Sequence, residues 1–238
     1  MTSPSKSAAA GEIPDGAGLL TALLAGEPVV VSETREDPPD AVLFPEEAPY
    51  VANAVAKRRL EFTTARHCAR TALAGIGVAP VPIPRGERGA PVWPAGVVGS
   101  MTHCAGFRAA VVAEDTAVTS LGVDAEPAER LSDPGVLDLV SDETERAALA
   151  GLATQDPSVP WDRLLFSAKE AVYKTWFPLA RRWLGFEEAR LDIRRDGTFT
   201  AAILVEGPRV AGAELKSLDG TWLVRDGILV TAIVLRPA

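Results

Sequence analysis

Two short stretches of this chain carry charged groups at spacings that suit chemistry. In Gly122-Val123-Asp124-Ala125-Glu126 the acids stand two positions apart. On a strand such positions share a face, so Asp124 and Glu126 would present their carboxylates side by side. Paired oxygen ligands suit Mg²⁺, which keeps several waters and takes further oxygens from substrate phosphates. A solvated acidic strand end before Pro127 would have the same spacing. The second stretch is FSAKEAVYK, Phe166 to Lys174, where Glu170 and Lys174 lie one helical turn apart. An exposed pair of that kind contributes only about 0.3–0.5 kcal/mol. Its flanks, Leu164, Leu165, Val172, Trp176 and Phe177, are apolar, so the charges need a partner. A carboxylate that binds metal or takes a proton, one turn from a phosphate-binding lysine, meets that need.

Other candidates are weaker. Gly99-Ser100-Met101-Thr102 is not a serine-hydrolase elbow, because Thr102 stands where the last glycine belongs. The pairs His67-Cys68 and His103-Cys104 are adjacent, whereas zinc ligands are spaced so that both face the ion. Both cysteines read as small buried hydrophobes. Lys57, Arg58, Arg59, Arg66 and Arg70 cluster on one helical segment, with Arg85 and Arg88 in a Gly-containing loop beyond it. Arg59, Arg66 and Arg70 are spaced to form one helix stripe. A solvated face is the ordinary meaning of such a run. In an acidic protein, concentrated arginine also favours an anion site, since guanidinium matches phosphate bidentately.

These residues need elements to hold them. The sequence predicts a short helix at Leu19–Leu24, a strand at Val29–Ser32, a polar loop over Glu33–Pro49 and a long helix over Tyr50–Ala74. Pro80–Pro94 reads as a structured loop, followed by strands at Phe107–Ala113 and Leu121–Glu126. Helices are expected at Ser141–Leu152 and Trp161–Trp176, the latter stopped or kinked by Pro178. Strands follow at Leu191–Arg195, Phe199–Val205, Thr221–Arg225 and Ile228–Leu235, the last two joined by an Asp226-Gly227 hairpin. The pattern is α+β (α/β) in two halves, 17–115 and 116–238, after a flexible tail over 1–16.

The chain has 238 residues, 47% hydrophobic and 24% charged, so one large domain or two small fused ones can bury a core without staples. A formal net charge of −8 argues against nucleic acid or an anionic membrane as partner. Two cysteines make no disulfide framework, and Leu19–Leu24 is far too short to span a bilayer. A cytoplasmic protein is expected.

In order along the chain, Lys57–Arg66 (KRRxEFxxxR), Arg85–Pro94 (RGxRGxPxWP), Ser100–Phe107 (SxTHCxGF), Gly122–Glu126 (GVDAE) and Phe166–Leu179 (FSAKEAxYKxWFPL) resemble the 4′-phosphopantetheinyl transferases of the Sfp and enterobactin-synthetase-component-D type. The continuation at Trp176–Phe186 is most similar to the actinobacterial-style branch. Met101, Val123 and Ala125 depart from common residues without touching the expected chemistry. The resemblance implies a pseudo-dimer of two similar halves with coenzyme A in the cleft between them. It implies transfer of the 4′-phosphopantetheine arm to a serine of an acyl or peptidyl carrier protein, releasing 3′,5′-ADP, by a monomeric enzyme. Asp124, Glu126 and Glu170 would hold Mg²⁺ (or Mn²⁺), Glu170 would take the serine proton, and Lys174 would stabilise leaving-group charge. Arg58, Arg66, Arg85, Arg88, Thr102 and His103 would clamp the phosphates and adenine, with Lys169 reaching a phosphate or the partner. The carrier would dock at Tyr173, Lys174, Arg181 and Arg182, and at Trp176 and Phe177 if these are not core. A metal-dependent phosphohydrolase acting on coenzyme A, or an inactive binding module, are the alternatives.

Overall fold

A computed structural model describes residues 17–237; the expected 1–16 tail lies outside them. The first half comprises α1 (Leu19–Leu23), β1 (Val30–Thr34), α2 (Ala56–Gly75), β2 (Val97–Cys104) and β3 (Phe107–Glu114). The second holds β4 (Ser120–Pro127), α3 (Pro134–Val140), α4 (Glu143–Gln155) and α5 (Trp161–Ala180). It continues through β5 (Ala189–Ile193), β6 (Thr198–Ile203), β7 (Arg209–Val210), β8 (Ala213–Glu214), β9 (Ser217–Arg225) and β10 (Ile228–Leu235). The fold is α+β. An antiparallel sheet of order β1-β3-β2 stands beside a five-stranded one of order β4-β10-β9-β6-β5, with β7 and β8 forming a small ribbon. One 20-residue helix packs on each main sheet, α2 on β3 and β1, α5 on β4 and β10.

Burial explains the placement. β3 is buried from Phe107 to Ala113: Ala110 and Val112 face Cys68, Ala69, Ala72 and Leu73 of α2, and the alternate residues join β4 and β10. Helix α5 buries Leu164, Leu165, Ala168, Ala171, Val172 and Trp176 in the second core. Each such leucine contributes about 1.5–3 kcal/mol. Asp226 and Gly227 both take positive φ, 52° and 74°, as the hairpin turn between β9 and β10 requires.

Several expectations need correcting. Helix α2 starts at Ala56, the residues Ala48–Val51 forming a separate 3₁₀ turn. α5 runs through Pro178 to Ala180, because in the last turn proline forfeits only one backbone bond. α3 and the strand β2 were not anticipated, and β2 carries both hydroxyls and a cavity-facing histidine in place of a clean apolar alternation. Trp176 and Phe177 are core, 0% and 2% exposed, so neither is free to dock a partner.

The two main sheets meet along β2 and β4. Side-chain hydroxyls join them: the Val123 amide donates to Ser100 Oγ (3.1 Å) and the Ala125 amide to Thr102 Oγ1 (2.9 Å). Across this seam α5 comes very close to β4. A Cβ added at Gly122 would sit 2.2 Å from the Ala171 carbonyl oxygen, so only glycine permits the approach.

Candidate active site

Alternation along β4 sends Val123 and Ala125 into the core and turns Asp124 and Glu126 toward α5. Asp124 is fully engaged. Its Oδ1 accepts from Lys174 Nζ at 2.7 Å and from Thr102 Oγ1 at 3.3 Å, and its Oδ2 from Ser167 Oγ at 2.8 Å. Glu126 Oε2 accepts from Arg163 at 2.9 Å. Lys174 also donates to the Val123 carbonyl at 3.0 Å, which plants its ammonium in the seam between the halves.

The three acids feel one another. Burial raises Glu126 above the usual carboxylate range and Asp124 adds to this, while Arg163 opposes it. Glu170 is likewise raised, first by burial, with Asp124 and Glu126 contributing and Lys174 opposing. Lys174 already neutralises Asp124, and Arg163 pairs with Glu126. Among the described residues no three side chains of His, Cys, Asp or Glu converge as a metal cluster. The donors are all carboxylate oxygens, the chemistry a hard divalent cation takes, and such an ion would have to compete with these two cations and draw further oxygens from a ligand.

A cavity of about 570 Å³ opens between the halves, lined by Glu170 among the three acids, with Asp124 and Glu126 outside its lining. Arg58, Arg66, Arg85, Arg88 and His103 line it from the first half; Glu170, Tyr173, Lys174 and Arg181 line it from the second. The α2 stripe that faces it is Arg58, Phe62 and Arg66, with Arg66 lying 3.3 Å over the Phe62 ring. Arg66 is also buried, donates to the Ile83 carbonyl at 3.1 Å, and is pulled down to about 10 by that burial. The stripe of Arg59, Arg66 and Arg70 does not act together. Arg70 pairs at 2.8 Å with the wholly buried Glu47, and Arg59 donates to the Ala52 carbonyl. Arg88 takes a left-handed φ of 52° and lies 5.7 Å over the Trp183 ring, while a Cβ on neighbouring Gly89 would meet the Arg85 guanidinium at 2.6 Å, so Arg85 packs against the Gly89 backbone.

His103 is held from both sides. Its Nε2 lies 2.5 Å from Arg58 and its Nδ1 3.5 Å from Glu61. Burial, then the charges of Arg58 and Lys174, push it down to about 4, so it is neutral near pH 7 and its 3.5 Å contact with Glu61 is not an ion pair. The buried Tyr173 hydroxyl has no hydrogen-bond partner among the described residues. Such a group is costly to leave unmet, and a ligand in the adjoining cavity would meet it.

Two expected site residues lie elsewhere. Thr102 bridges the sheets and supports Asp124, and it does not line the cavity. Lys169 points away: its Nζ is buried 2.9 Å from Glu145 and 2.8 Å from the Phe186 carbonyl, so it ties α5 to α4 and cannot reach a phosphate. The residues that sequence reasoning missed are Glu61, Ser167 and Arg163. Glu61 stands three positions after Arg58, and Ser167 three before Glu170, which are same-face helical spacings.

Family models match most of the chain. Residues 46–113 match the 4′-phosphopantetheinyl transferase N-terminal domain and residues 120–223 the 4′-phosphopantetheinyl transferase superfamily. The chain is 50% identical over 214 residues to the 4′-phosphopantetheinyl transferase PptT of Mycobacterium tuberculosis, covering 88% of this chain and 93% of that one. It is 56% identical over 198 residues to the 4′-phosphopantetheinyl transferase Svp of Streptomyces mobaraensis, covering 83% and 80%. It is 50% identical over 211 residues to the 4′-phosphopantetheinyl transferase Npt of Nocardia iowensis, covering 85% of this chain and 93% of that one.

Proposed function

Because the chain belongs to the 4′-phosphopantetheinyl transferase superfamily, we propose a division of labour for the transfer of phosphopantetheine from coenzyme A to a carrier protein. The observation that carries it is the cavity between the halves, with four arginines and His103 on one wall and Glu170 and Lys174 on the other. Arg58, Arg66, Arg85, Arg88 and His103 bind the phosphates of coenzyme A, in keeping with the match of guanidinium to phosphate. Residues 17–115 act as the coenzyme A half and 116–238 as the metal-binding and catalytic half.

Asp124, Glu126 and Glu170 would hold Mg²⁺ or Mn²⁺, which when bound neutralises charge on the pyrophosphate. Glu170 accepts the proton of the carrier serine, directly or through water. Its raised affinity for a proton, caused by burial, suits a base working near neutrality. Lys174 supplies positive charge to the leaving phosphate. The serine oxygen forms the new bond to phosphorus as the bond to the 3′,5′-ADP oxygen breaks.

Acyl and peptidyl carrier proteins are the partners in this reading. One chain lines the cavity from both sides, which supports a monomer. No helix among the described residues is long and apolar enough to cross a membrane, in keeping with a cytoplasmic setting. The comparisons lend no support to the phosphohydrolase alternative.

Mass spectrometry of apo acyl and peptidyl carrier proteins after incubation with coenzyme A and Mg²⁺ tests the reading. A gain of one phosphopantetheine on the carrier is expected. Release of free phosphopantetheine with no change in the carrier would overturn it.

A further inference from the structure

Glu61 presents a puzzle behind a cavity suited to anions. Its side chain is 11% exposed, touching Arg58 and His103 of the wall expected to hold phosphates, where a negative charge should weaken binding. It sits on α2 three residues after Arg58, and its Oε2 lies 3.9 Å from the Arg58 guanidinium and 3.5 Å from His103 Nδ1. These are its polar contacts within 4.0 Å among the described residues, so the side chain serves no strand, cap or loop.

The arrangement determines where the imidazole proton lies. Arg58 can only donate, so His103 Nε2, at 2.5 Å from it, must be the acceptor. In a neutral ring the proton is then on Nδ1, which faces Glu61. Arg58 and Glu61 thus specify the same tautomer from opposite edges of the ring. Only Glu61 can keep doing so once a phosphate draws Arg58 away, because a carboxylate accepts and never donates when ionised.

We propose that Glu61 is a positioning residue that fixes the Nδ1–H tautomer of His103 and anchors Arg58, so that both reach the cavity in one defined arrangement. That these two groups meet coenzyme A rests on the reading above; the tautomer itself does not. The negative charge costs some affinity at long range and returns it by ordering two ligand-binding side chains beforehand.

The chain has two histidines, His67 and His103, which makes a direct test practical. Long-range ¹H–¹⁵N correlation spectra of the full-length, histidine-labelled protein distinguish protonated from bare ring nitrogens, with His67→Asn assigning the signals. Wild type should show His103 protonated at Nδ1 without any substrate. Glu61→Gln should keep that pattern, since its amide oxygen still accepts, and Arg58→Met should keep it as well. Glu61→Leu should keep it while Arg58 remains, the double variant Arg58→Met/Glu61→Leu should lose it, and Glu61→Leu should raise KM for coenzyme A about tenfold with kcat nearly unchanged. A wild-type ring protonated at Nε2 overturns the proposal, as does an unchanged Nδ1–H tautomer in Arg58→Met/Glu61→Leu. If the double variant does not fold, Arg58→Met decides: a switch to Nε2–H there makes Arg58 the determinant and overturns the role given to Glu61. Correct tautomers with no carrier modification by wild type would instead count against the functional reading alone.

Discussion

Lys174 Nζ lies 2.7 Å from Asp124 Oδ1, at the seam where β2 and β4 meet, and so the ammonium holds a carboxylate that a divalent ion would also claim. Two roles for Lys174 follow from one position: it neutralises Asp124 when no ion is bound, and it stands ready at the cavity wall for phosphate charge. Asp124→Asn keeps the side chain's shape and removes its charge. Transfer to a carrier, followed by mass spectrometry at ordinary Mg²⁺, should fall about a hundredfold, the scale of losing one electrostatic group at a reacting centre. Retention of more than about a tenth of the wild-type rate would take Asp124 out of the ion's coordination.

Gly122 sets how near α5 comes to β4. In Gly122→Ala the new methyl would lie 2.2 Å from the Ala171 carbonyl oxygen and 2.5 Å from Thr175 Oγ1. Backbone cannot yield there cheaply, so the variant should lose about 1–3 kcal/mol in urea denaturation. Activity should drop further than stability explains, because moving α5 outward separates Lys174 from Asp124. Wild-type kcat in a well-folded Gly122→Ala protein would contradict this geometry.

His103 ties stability to pH. Its native proton affinity is pushed down to about 4 from 6.5 by burial and by Arg58 and Lys174. The unfolded chain therefore binds the proton more tightly, and stability falls as pH drops from about 6.5 toward 4, being fully present above that window. The effect is on the order of 3 kcal/mol over the whole range. Denaturant midpoints measured at pH 7.5 and at pH 5 should differ less in His103→Asn than in wild type. Equal differences would show that the ring is not held neutral.

Much of this could be read in the sequence because local chemistry and global position agreed. Asp226-Gly227 turned as expected since the turn needs only its own two φ angles. The Asp124/Glu126 and Glu170/Lys174 spacings reported shared faces, which any regular strand or helix preserves. What escaped depends on partners far away in sequence. Lys169 stands beside Glu170, yet one residue along a helix turns the side chain about a quarter of the way round, into Glu145. Thr102 looked like a ligand-binding hydroxyl, but its partner is the Ala125 amide of the other sheet. Arg66 and Arg70 were alike on paper. The buried Glu47, contributed by a loop, holds Arg70 at 2.8 Å and lies farther, 4.0 Å, from Arg66, which also lines the cavity.

Lys169 and Glu145 form a buried pair, each side chain 2% exposed, and Glu145 also accepts from the Leu191 and Asp142 amides. Lys169→Met would leave that carboxylate without its cation and should cost about 3–5 kcal/mol. Pairing it with Glu145→Gln should recover part of the loss. KM for coenzyme A, measured below the melting range, should stay at the wild-type value in Lys169→Met. A KM increase without destabilisation would return Lys169 to the phosphates.

Arg181 offers a separation of stability from partner binding. It closes α5 with φ 51° and ψ 24°, the left-handed conformation that glycine adopts without strain, and its side chain is exposed at the cavity rim. Arg182 beside it is less free: it pairs with Glu188 at 3.3 Å and lies 5.3 Å over the buried Trp176 ring. Reversing Arg182 would therefore disturb packing as well as charge, so Arg181 is the cleaner probe. In Arg181→Gly the relief of left-handed strain, about 1 kcal/mol or more, is partly offset by the extra freedom of glycine in the unfolded chain. The variant should be as stable as wild type or up to about 1 kcal/mol more stable. With a net charge of −8 the chain repels an acidic carrier at long range, so a local positive group near the cavity has a disproportionate effect on encounter. Arg181→Gly should raise KM for an acidic carrier several-fold while kcat at saturating carrier holds, and added salt should weaken wild-type docking more than that of the variant. An unchanged carrier KM in this equally stable protein would move the docking surface off the end of α5.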